Sequence, residues 1–269
     1  MEIKVLIENV TYNQNLKAQH GLSFLVKHNG LKILFDTGFN DEFIKNADYL
    51  REELKDVDYV VISHGHYDHA GGLEYFLKIN KTAKVIMSKN IVNEKYSTSK
   101  GEMRFIGFTF DRNRENEVVY VEDFYEIDDG IEIYGGVKRS NDFEIGDKNL
   151  YVKYGERIVE DTYEDEIYLV VKESEKLNLI TGCAHKGIIN IITDITERTG
   201  LDKLASVTGG FHLIRAEEYQ TRMTLEKIEN MKIEKILVNH CTGIEKYALM
   251  KSVFGDKVRY FCTGESIKI

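Results

Sequence analysis

The chain has 269 residues, and its 36 Lys and Arg against 45 Asp and Glu give a formal net charge of −9 at pH 7. Nucleic acid is not the expected partner, because neutralising phosphates requires clustered Lys and Arg and this acidic chain has no basic run. The apolar runs are too short to cross a bilayer, so no membrane contact is expected.

The cysteine and proline content bears on the cellular compartment and on the number of domains. Three cysteines are too few, and odd in number, for a disulfide framework, which favours a reducing compartment. The start, Met1 to Ile7, alternates like a strand and lacks the long apolar region of a signal peptide. We therefore expect a cytoplasmic protein. The absence of proline argues against Pro-rich linkers and favours one domain over 1–269.

Apolar runs bounded by Gly, Asn and Asp predict strands, and apolar residues spaced at three and four predict helices. The predicted strands cover 2–9, 22–28, 31–36, 58–63, 83–88, 117–121, 130–134, 166–172, 177–181, 205–208, 234–239 and 257–262. The predicted helices cover 41–47, 72–79, 89–96, 186–198, 216–230 and 243–254. This mixture indicates an α/β or α+β fold rather than an all-β sandwich.

The stretch from about 97 to 165 is rich in Glu, Asp, Asn, Gly and Tyr, and its strand signals are short and interrupted. We interpret it as an irregular, substrate-shaping insertion between two better-ordered halves. The alternative is a solvated β-meander without a role.

Six of the eight histidines lie in four short places, each after an apolar strand. The first place contains His64, His66, Asp68 and His69. Extended backbone puts His64 and His66 on one side of the chain, because side chains alternate with period two. Two neutral imidazoles can hold one divalent ion, and a carboxylate with a third imidazole can hold a second. The run therefore predicts a metal site.

Three later strand ends carry one histidine each: His185, His212 and His240. Taken singly, each is more often structural. Four strand ends that deliver imidazoles towards one edge are the arrangement that a two-metal site needs.

The His64 to His69 run, the preceding Leu34-Phe35-Asp36-Thr37-Gly38 and the order of the later histidines resemble the metallo-β-lactamase fold superfamily. The resemblance implies a four-layered αββα sandwich built from two ββα halves. It also implies two divalent metal ions, zinc first and manganese or iron as alternatives. Thr181-Gly182-Cys183-Ala184-His185 and His240-Cys241-Thr242-Gly243 resemble, more closely, the dihydropterin synthase-like branch.

In this family's terms, one metal is held by His64, His66 and His185. The other is held by Asp68, His69 and His240.

One departure from the family pattern concerns the bridging ligand. Most dinuclear members place a metal-bridging Asp after a Gly at the third strand end, where this chain has Gly209-Gly210. His212 lies two residues further on, on the same face if the strand continues. We expect it at the site, as a metal ligand or as a catalytic acid or hydrogen-bond donor. Without the carboxylate, tight binding of the second metal is not assured.

The predicted chemistry is hydrolysis, in which metal-bound hydroxide attacks an ester, thioester, amide or phosphoester and Asp68 orients the hydroxide or accepts its proton. In the dihydropterin synthase-like alternative, the metals neutralise a pyrophosphate leaving group as an aromatic amine displaces it. A non-catalytic metal-binding or regulatory protein of the same fold is the alternative from another class. An amidohydrolase-type barrel is disfavoured, because its His-x-His pair belongs near the first strand.

Residues around the metals are expected to orient the ligands and attract substrate. Asp36 is expected to accept an imidazole N–H, and Thr37 to assist with its hydroxyl. The helices that start near Gly72 and Lys186 are expected to aim their N-termini at the site, which favours an anionic small-molecule substrate.

Two cysteines and one further histidine stand beside these motifs. Cys183 and Cys241 are expected to face away from the ligands and to be buried as small hydrophobes. His20 is left open between a loop residue and a residue at the pocket mouth.

Overall fold

The computed structural model describes residues 1–111 and 117–269, which divide into two compact units. Unit 1 comprises Met1–Glu122, Asp147–Ile167 and Cys262–Lys268. Unit 2 comprises Asp123–Gly146 and Tyr168–Phe261, with Ile269. Residues 112–116 of the predicted insertion lie outside the described residues.

Unit 1 is built on a mixed sheet of seven strands, numbered in chain order. They are β1 Glu2–Ile7, β2 Ser23–His28, β3 Leu31–Phe35, β4 Tyr59–Ile62, β5 Lys84–Ser88, β8 Val118–Val121 and β18 Ser266–Lys268. Their order in the sheet is β18-β1-β2-β3-β4-β5-β8. The neighbouring strands β3, β4, β5 and β8 run parallel to one another. The pairs β18–β1, β1–β2 and β2–β3 are antiparallel.

A smaller antiparallel sheet also belongs to unit 1. Its strands are β6 Glu94–Ser97, β7 Arg104–Phe105, β11 Leu150–Tyr154 and β12 Arg157–Glu160, in the order β12-β11-β6-β7.

The helices of unit 1 are α1 Glu42–Tyr49, α2 Tyr67–Ala70 and α3 Leu73–Ile79. Phe43 of α1 and Phe76 of α3 lie in one buried apolar cluster with Val60 and Ile62 of β4. Fully burying an apolar side chain of this size stabilises the fold by about 1.5–3 kcal/mol. The end of β4, where the first histidine run begins, is therefore held by a packed core.

Unit 2 repeats the mixed-sheet plan. Its strands are β9 Phe124–Asp128, β10 Ile131–Tyr134, β13 Tyr168–Glu173, β14 Lys176–Ile180, β15 Lys203–Gly209, β16 Lys232–Val238 and β17 Val258–Tyr260. Their order is β17-β16-β15-β14-β13-β10-β9, and β14 to β17 run parallel. Its helices are α4 Ile188–Thr199, α5 Glu218–Glu229 and α6 Ile244–Phe254.

The predicted α/β character is confirmed, and each predicted strand is present with its ends shifted by a few residues. The predicted helix over 89–96 is wrong. A 3₁₀ turn covers Lys89–Val92, where the Ser88 side chain accepts from the Asn90 N–H, and the chain then enters β6. Pairing of β6 with β11 outweighs the local apolar spacing.

The stretch over 97–165 is more regular than its composition suggests. Besides β7, β11 and β12 it contains β8, which extends the large sheet of unit 1, and β9 and β10, which extend the sheet of unit 2. Its substrate-shaping role stays a prediction. In the described part of the chain, no helix has the length and apolar character that crossing a bilayer requires.

Candidate metal centre

The first histidine run of unit 1 leaves the buried end of β4 and turns into α2. His66 has extended backbone at the start of α2, and Asp68 and His69 lie on that short helix. All four predicted ligands of this run, His64, His66, Asp68 and His69, are buried. The structure thus places them together at one strand end, as their spacing predicts.

The imidazoles of this run face one another. His64 Nε2 lies 3.0 Å from His66 Nδ1. The ring centroid of His64 is 4.6 Å from that of His66 and 4.2 Å from that of His69. Nitrogen atoms this close either share one proton or direct their lone pairs at one cation.

Burial keeps the rings of His64 and His66 neutral at pH 7. It lowers the pKa of His64 well below its usual range, an effect strengthened by His69 and His66. Burial also lowers the pKa of His66 to about 3. Neutral imidazole is the form that binds a metal.

Asp36 orients the His69 ring directly and the His64 ring through Ser63. Its Oδ2 lies 2.7 Å from His69 Nδ1 and accepts a 2.7 Å hydrogen bond from the Ser63 hydroxyl, and its Oδ1 accepts the Ser63 N–H. Because the Ser63 hydroxyl donates its proton to Asp36, Ser63 Oγ can only accept from His64 Nδ1, which lies 2.9 Å away. His64 therefore keeps a lone pair on Nε2, which can accept from His66 Nδ1 or bind a metal.

Thr37, the second residue expected near the ligands, acts on the backbone. Its N–H and its hydroxyl both donate to the carbonyl oxygen of His69, at 2.7 and 2.9 Å. It fixes the peptide of a predicted ligand and does not contact an imidazole nitrogen.

Asp68 has an ionisable neighbour that the sequence left open. His20 Nε2 lies 3.1 Å from Asp68 Oδ2, and His69 Nε2 lies 3.9 Å from the same oxygen. The side chain of His20 is 61% exposed whereas that of Asp68 is 10% exposed. The pair connects a buried carboxylate to solvent.

A buried cluster of one lysine and two aspartates supports the first histidine run, and it was not predicted from the sequence. Lys95 Nζ lies 2.8 Å from Asp161 and 2.6 Å from Asp165, and the second oxygen of Asp165 accepts the Gly65 N–H at 2.8 Å. Burial lowers the pKa of Lys95, but the two carboxylates outweigh it and the pKa is raised. This cluster fixes the peptide between His64 and His66.

In unit 2 the later histidines follow three adjacent parallel strands, β14, β15 and β16. The carboxyl ends of parallel strands meet at one edge of a sheet, which is where ligand sites form. The backbone turns sharply there, with positive φ values of 56° at Ala184, 48° at His212 and 46° at His240. Non-glycine residues in this region carry strain that the surrounding structure must hold.

The ring of His212 lies beside that of His185, with centroids 4.2 Å apart. The route by which it gets there differs from the prediction. β15 ends at Gly209, so the strand does not continue to His212, and the turn with positive φ brings the ring into place. Its role as ligand or acid stays a prediction.

The expectation that the two cysteines face away from the ligands is wrong, although both are buried. Cys183 Sγ, Cys241 Sγ and a ring nitrogen of His212 lie within 4.8 Å of one another. Strand alternation does not apply after β14 and β16, because Ala184 has positive φ and Cys241 lies in a 3₁₀ turn. Burial raises the pKa of Cys241, but contacts with Cys183 and His212 outweigh it and the pKa falls well below its usual value.

The N-terminus of α4 is not open to a substrate anion, contrary to the prediction. The carboxylate of Glu144 accepts the N–H groups of Ile189 and Asn190, both at 3.0 Å. Arg139 instead brings positive charge to His185, because its guanidinium donates to the His185 carbonyl oxygen at 3.1 Å. Arg139 lies in the stretch that was predicted to shape the substrate.

A family model described as the metallo-beta-lactamase superfamily matches residues 16–155, more than half of the chain. The chain belongs to the metallo-beta-lactamase superfamily. It is 30% identical, over 96% of its length and 92% of the relative's, to 7,8-dihydropterin-6-methyl-4-(beta-D-ribofuranosyl)-aminobenzene-5'-phosphate synthase of Methanocaldococcus jannaschii. A second protein of that organism, MJ0448, is 33% identical over 90% of this chain and 91% of its own.

A solved structure extends the likeness to the whole fold. The crystal structure of Tm1679, described as a metal-dependent hydrolase of the beta-lactamase superfamily, matches with a TM-score of 0.85 and 32% identity. The match covers 100% of this chain and 99% of that one. The metallo-beta-lactamase fold predicted from the sequence is thereby confirmed, as is the resemblance to a dihydropterin synthase.

The donors in both units fit the divalent metals that the superfamily typically binds. Unit 1 offers neutral imidazoles with oriented lone pairs beside a carboxylate, and unit 2 offers imidazoles beside thiols. Nitrogen, oxygen and sulfur donors of this kind suit zinc and related ions. The number and identity of the metals stay predictions.

Proposed function

We propose that this chain is a metal-dependent hydrolase of a small anionic ester or phosphoester. Two divalent ions are held by the ligand sets that the family resemblance implies. One set is His64, His66 and His185, and the other is Asp68, His69 and His240. The observation that carries the proposal is the Asp36 and Ser63 network, because it orients the His64 and His69 rings in the way that hydrogen-bond partners orient metal-ligating histidines.

When bound, divalent ions supply Lewis acidity, which lowers the pKa of water and neutralises negative charge on the attacked and leaving oxygens. Asp68 is the proton acceptor in this scheme and takes the proton that the attacking water loses. It accepts a proton at Oδ2, which lies 3.1 Å from His20 Nε2. Because His20 is largely exposed, it exchanges that proton with solvent.

The anionic nature of the substrate is supported by Arg139, which contacts the His185 carbonyl oxygen, and by Lys186, the next residue after His185 in the sequence. Guanidinium and ammonium groups next to a reacting centre bind carboxylate or phosphate oxygens. The net charge of −9 argues against a nucleic acid in this role, because an acidic surface repels an extended run of phosphates.

A second candidate is supported by the pterin-related relative, which is 30% identical over nearly the whole chain. In this reaction an aromatic amine forms a C–N bond to the methyl carbon of a dihydropterin. The C–O bond to pyrophosphate breaks, and the amine loses one proton. The same metals and the same cations would neutralise the leaving pyrophosphate.

Elemental analysis of the protein purified without added metal tests the proposal. We expect a bound transition metal, at a content that falls strongly in His64→Ala and His240→Ala. His28→Ala is the matched control, because His28 lies at the end of β2 and belongs to no ligand set. A parent protein without transition metal would contradict the proposal.

A substrate panel then separates the candidates. Phosphodiesters, thioesters and lactones report hydrolysis, and a dihydropterin pyrophosphate with an aromatic amine reports transfer through release of pyrophosphate. Metal-dependent turnover of the first group supports the hydrolase, and pyrophosphate release that requires the amine supports the transferase. A metal-loaded protein inactive on both groups points to the non-catalytic alternative.

A further inference from the structure

One side chain in unit 2 lies among all three strand-end histidines and has no role in the function proposed above. Cys183 Sγ lies within 4.8 Å of a ring nitrogen of His185, of His212 and of His240. Its side chain is buried, with 4% of the residue exposed. A thiol surrounded by metal-binding nitrogen atoms is itself a metal donor once it loses its proton.

The adjacent strand end explains why a donor is needed at this position. Gly209 and Gly210 stand where the superfamily pattern has a carboxylate. A Cβ on Gly210 would lie 2.4 Å from Cys241 Sγ, and a Cβ on Gly209 would lie 2.1 Å from the carbonyl oxygen of Thr181. Neither position accepts a side chain in this packing. The Cys241 sulfur fills the space next to Gly210, so a carboxylate cannot enter from this strand end and the donor must come from a neighbouring one.

Of the two sulfur atoms, that of Cys241 is engaged with the backbone. Its thiol lies 3.4 Å from the carbonyl oxygen of Cys183 and accepts the N–H of His212 at 3.3 Å. Among the donor groups found in the described residues, Cys241 belongs only to the one with Cys183 and His212, whereas Cys183 belongs to three.

We infer that the Cys183 thiolate is a metal ligand of the proposed site and stands in for the carboxylate that Gly210 cannot supply. The inference rests on the proposed function, because it adds a donor to the same metals. Binding replaces the S–H bond with a metal–sulfur bond and releases one proton to solvent. A thiolate carries the same charge as the missing carboxylate, but it selects zinc and other thiophilic ions over magnesium, calcium and manganese.

The test uses the full chain loaded with Co²⁺, because a thiolate on cobalt gives a sulfur-to-cobalt charge-transfer absorption that nitrogen and oxygen ligands do not give. We expect this absorption in the parent and its loss in Cys183→Ser. It should remain in Cys241→Ser and in Cys262→Ser. Cys262 is the matched control, because it is equally buried and belongs to no group of metal donors found among the described residues.

Zinc affinity, measured by competition with a chelator, gives a second readout. We expect Cys183→Ser to lose at least the roughly 10-fold that removing a partner of a metal ligand costs, and Cys262→Ser to keep the parent affinity. If Cys183→Ser does not fold, zinc-edge X-ray absorption on the parent decides. A sulfur neighbour at about 2.3 Å supports the inference, and nitrogen and oxygen neighbours alone overturn it.

The outcomes separate this inference from the proposed function. Co²⁺ bound without a sulfur charge-transfer absorption overturns the ligand role of Cys183 and leaves the metal enzyme standing. An absorption lost in Cys241→Ser but kept in Cys183→Ser also overturns it. A parent that binds neither Co²⁺ nor Zn²⁺ overturns both.

Discussion

At the scale of single residues, Asp36 shows how one carboxylate can prepare a metal site. It accepts three hydrogen bonds, two from Ser63 and one from His69, and through Ser63 it also sets the proton of His64. The buried carboxylate is thus fully used in orienting neutral donors. Its position one residue after β3 could be predicted from the motif, because ligand and partner lie on neighbouring parallel strands.

Asp36→Ala should weaken zinc binding about 10–100-fold, the usual cost of removing a partner of a metal-ligating histidine. His69 loses its acceptor, and Ser63 no longer forces the His64 proton onto Nδ1. Chelator competition measures the change. Asp56→Ala is the control, because Asp56 is exposed and pairs with the Lys32 ammonium rather than with an imidazole. Equal zinc affinity in the two variants would show that Asp36 has no orienting role.

At the scale of elements, the sequence predicts those helices and strands whose stabilising contacts lie close by in the chain. It fails for those that depend on partners far away in sequence. Strands with clear alternation and the end of α4 at Gly200 are local and were predicted correctly. β6 was mistaken for a helix because its partner β11 lies more than fifty residues away in sequence. The contact of Asp165 with the Gly65 N–H spans 100 residues. No spacing rule within the first histidine run points to it.

The cap of α4, which comes from the segment between β10 and β11, gives a test at the same scale. Glu144 accepts two N–H groups from the first turn of α4 and is largely buried. Glu144→Ala should lower the free energy of unfolding by about 1–3 kcal/mol, because two buried donors lose their acceptor. Urea unfolding measures this loss. Glu175→Ala, at an exposed turn, should change stability by less than about 0.5 kcal/mol. Similar midpoints for the two variants would contradict the capping role.

At the scale of the whole molecule, stability and metal binding are linked through the same imidazoles. The fold buries His64 and His66 in neutral form, and it concentrates ligand motifs at the ends of parallel strands in both units. The motifs themselves could be predicted from the sequence. The depth of burial and the sulfur atoms beside the later histidines could not, because both follow from packing between distant segments.

This linkage predicts how the metal-free protein responds to acid. The folded pKa of His66 is about 3, below the value near 6.5 of an exposed histidine, so the unfolded chain takes up a proton first. The contribution is therefore fully present above about pH 6.5 and is lost as the pH falls from there towards 3. At about 1.4 kcal/mol per pKa unit, the expected loss is several kcal/mol.

Urea midpoints of chelator-treated protein should fall between pH 7 and pH 4.5, and less steeply in His66→Gln. Because carboxylates titrate equally in both proteins, parallel curves for parent and variant would refute the assignment to His66. Added Zn²⁺ should flatten the parent curve at its upper end, since bound metal stabilises the folded state and holds the imidazoles deprotonated.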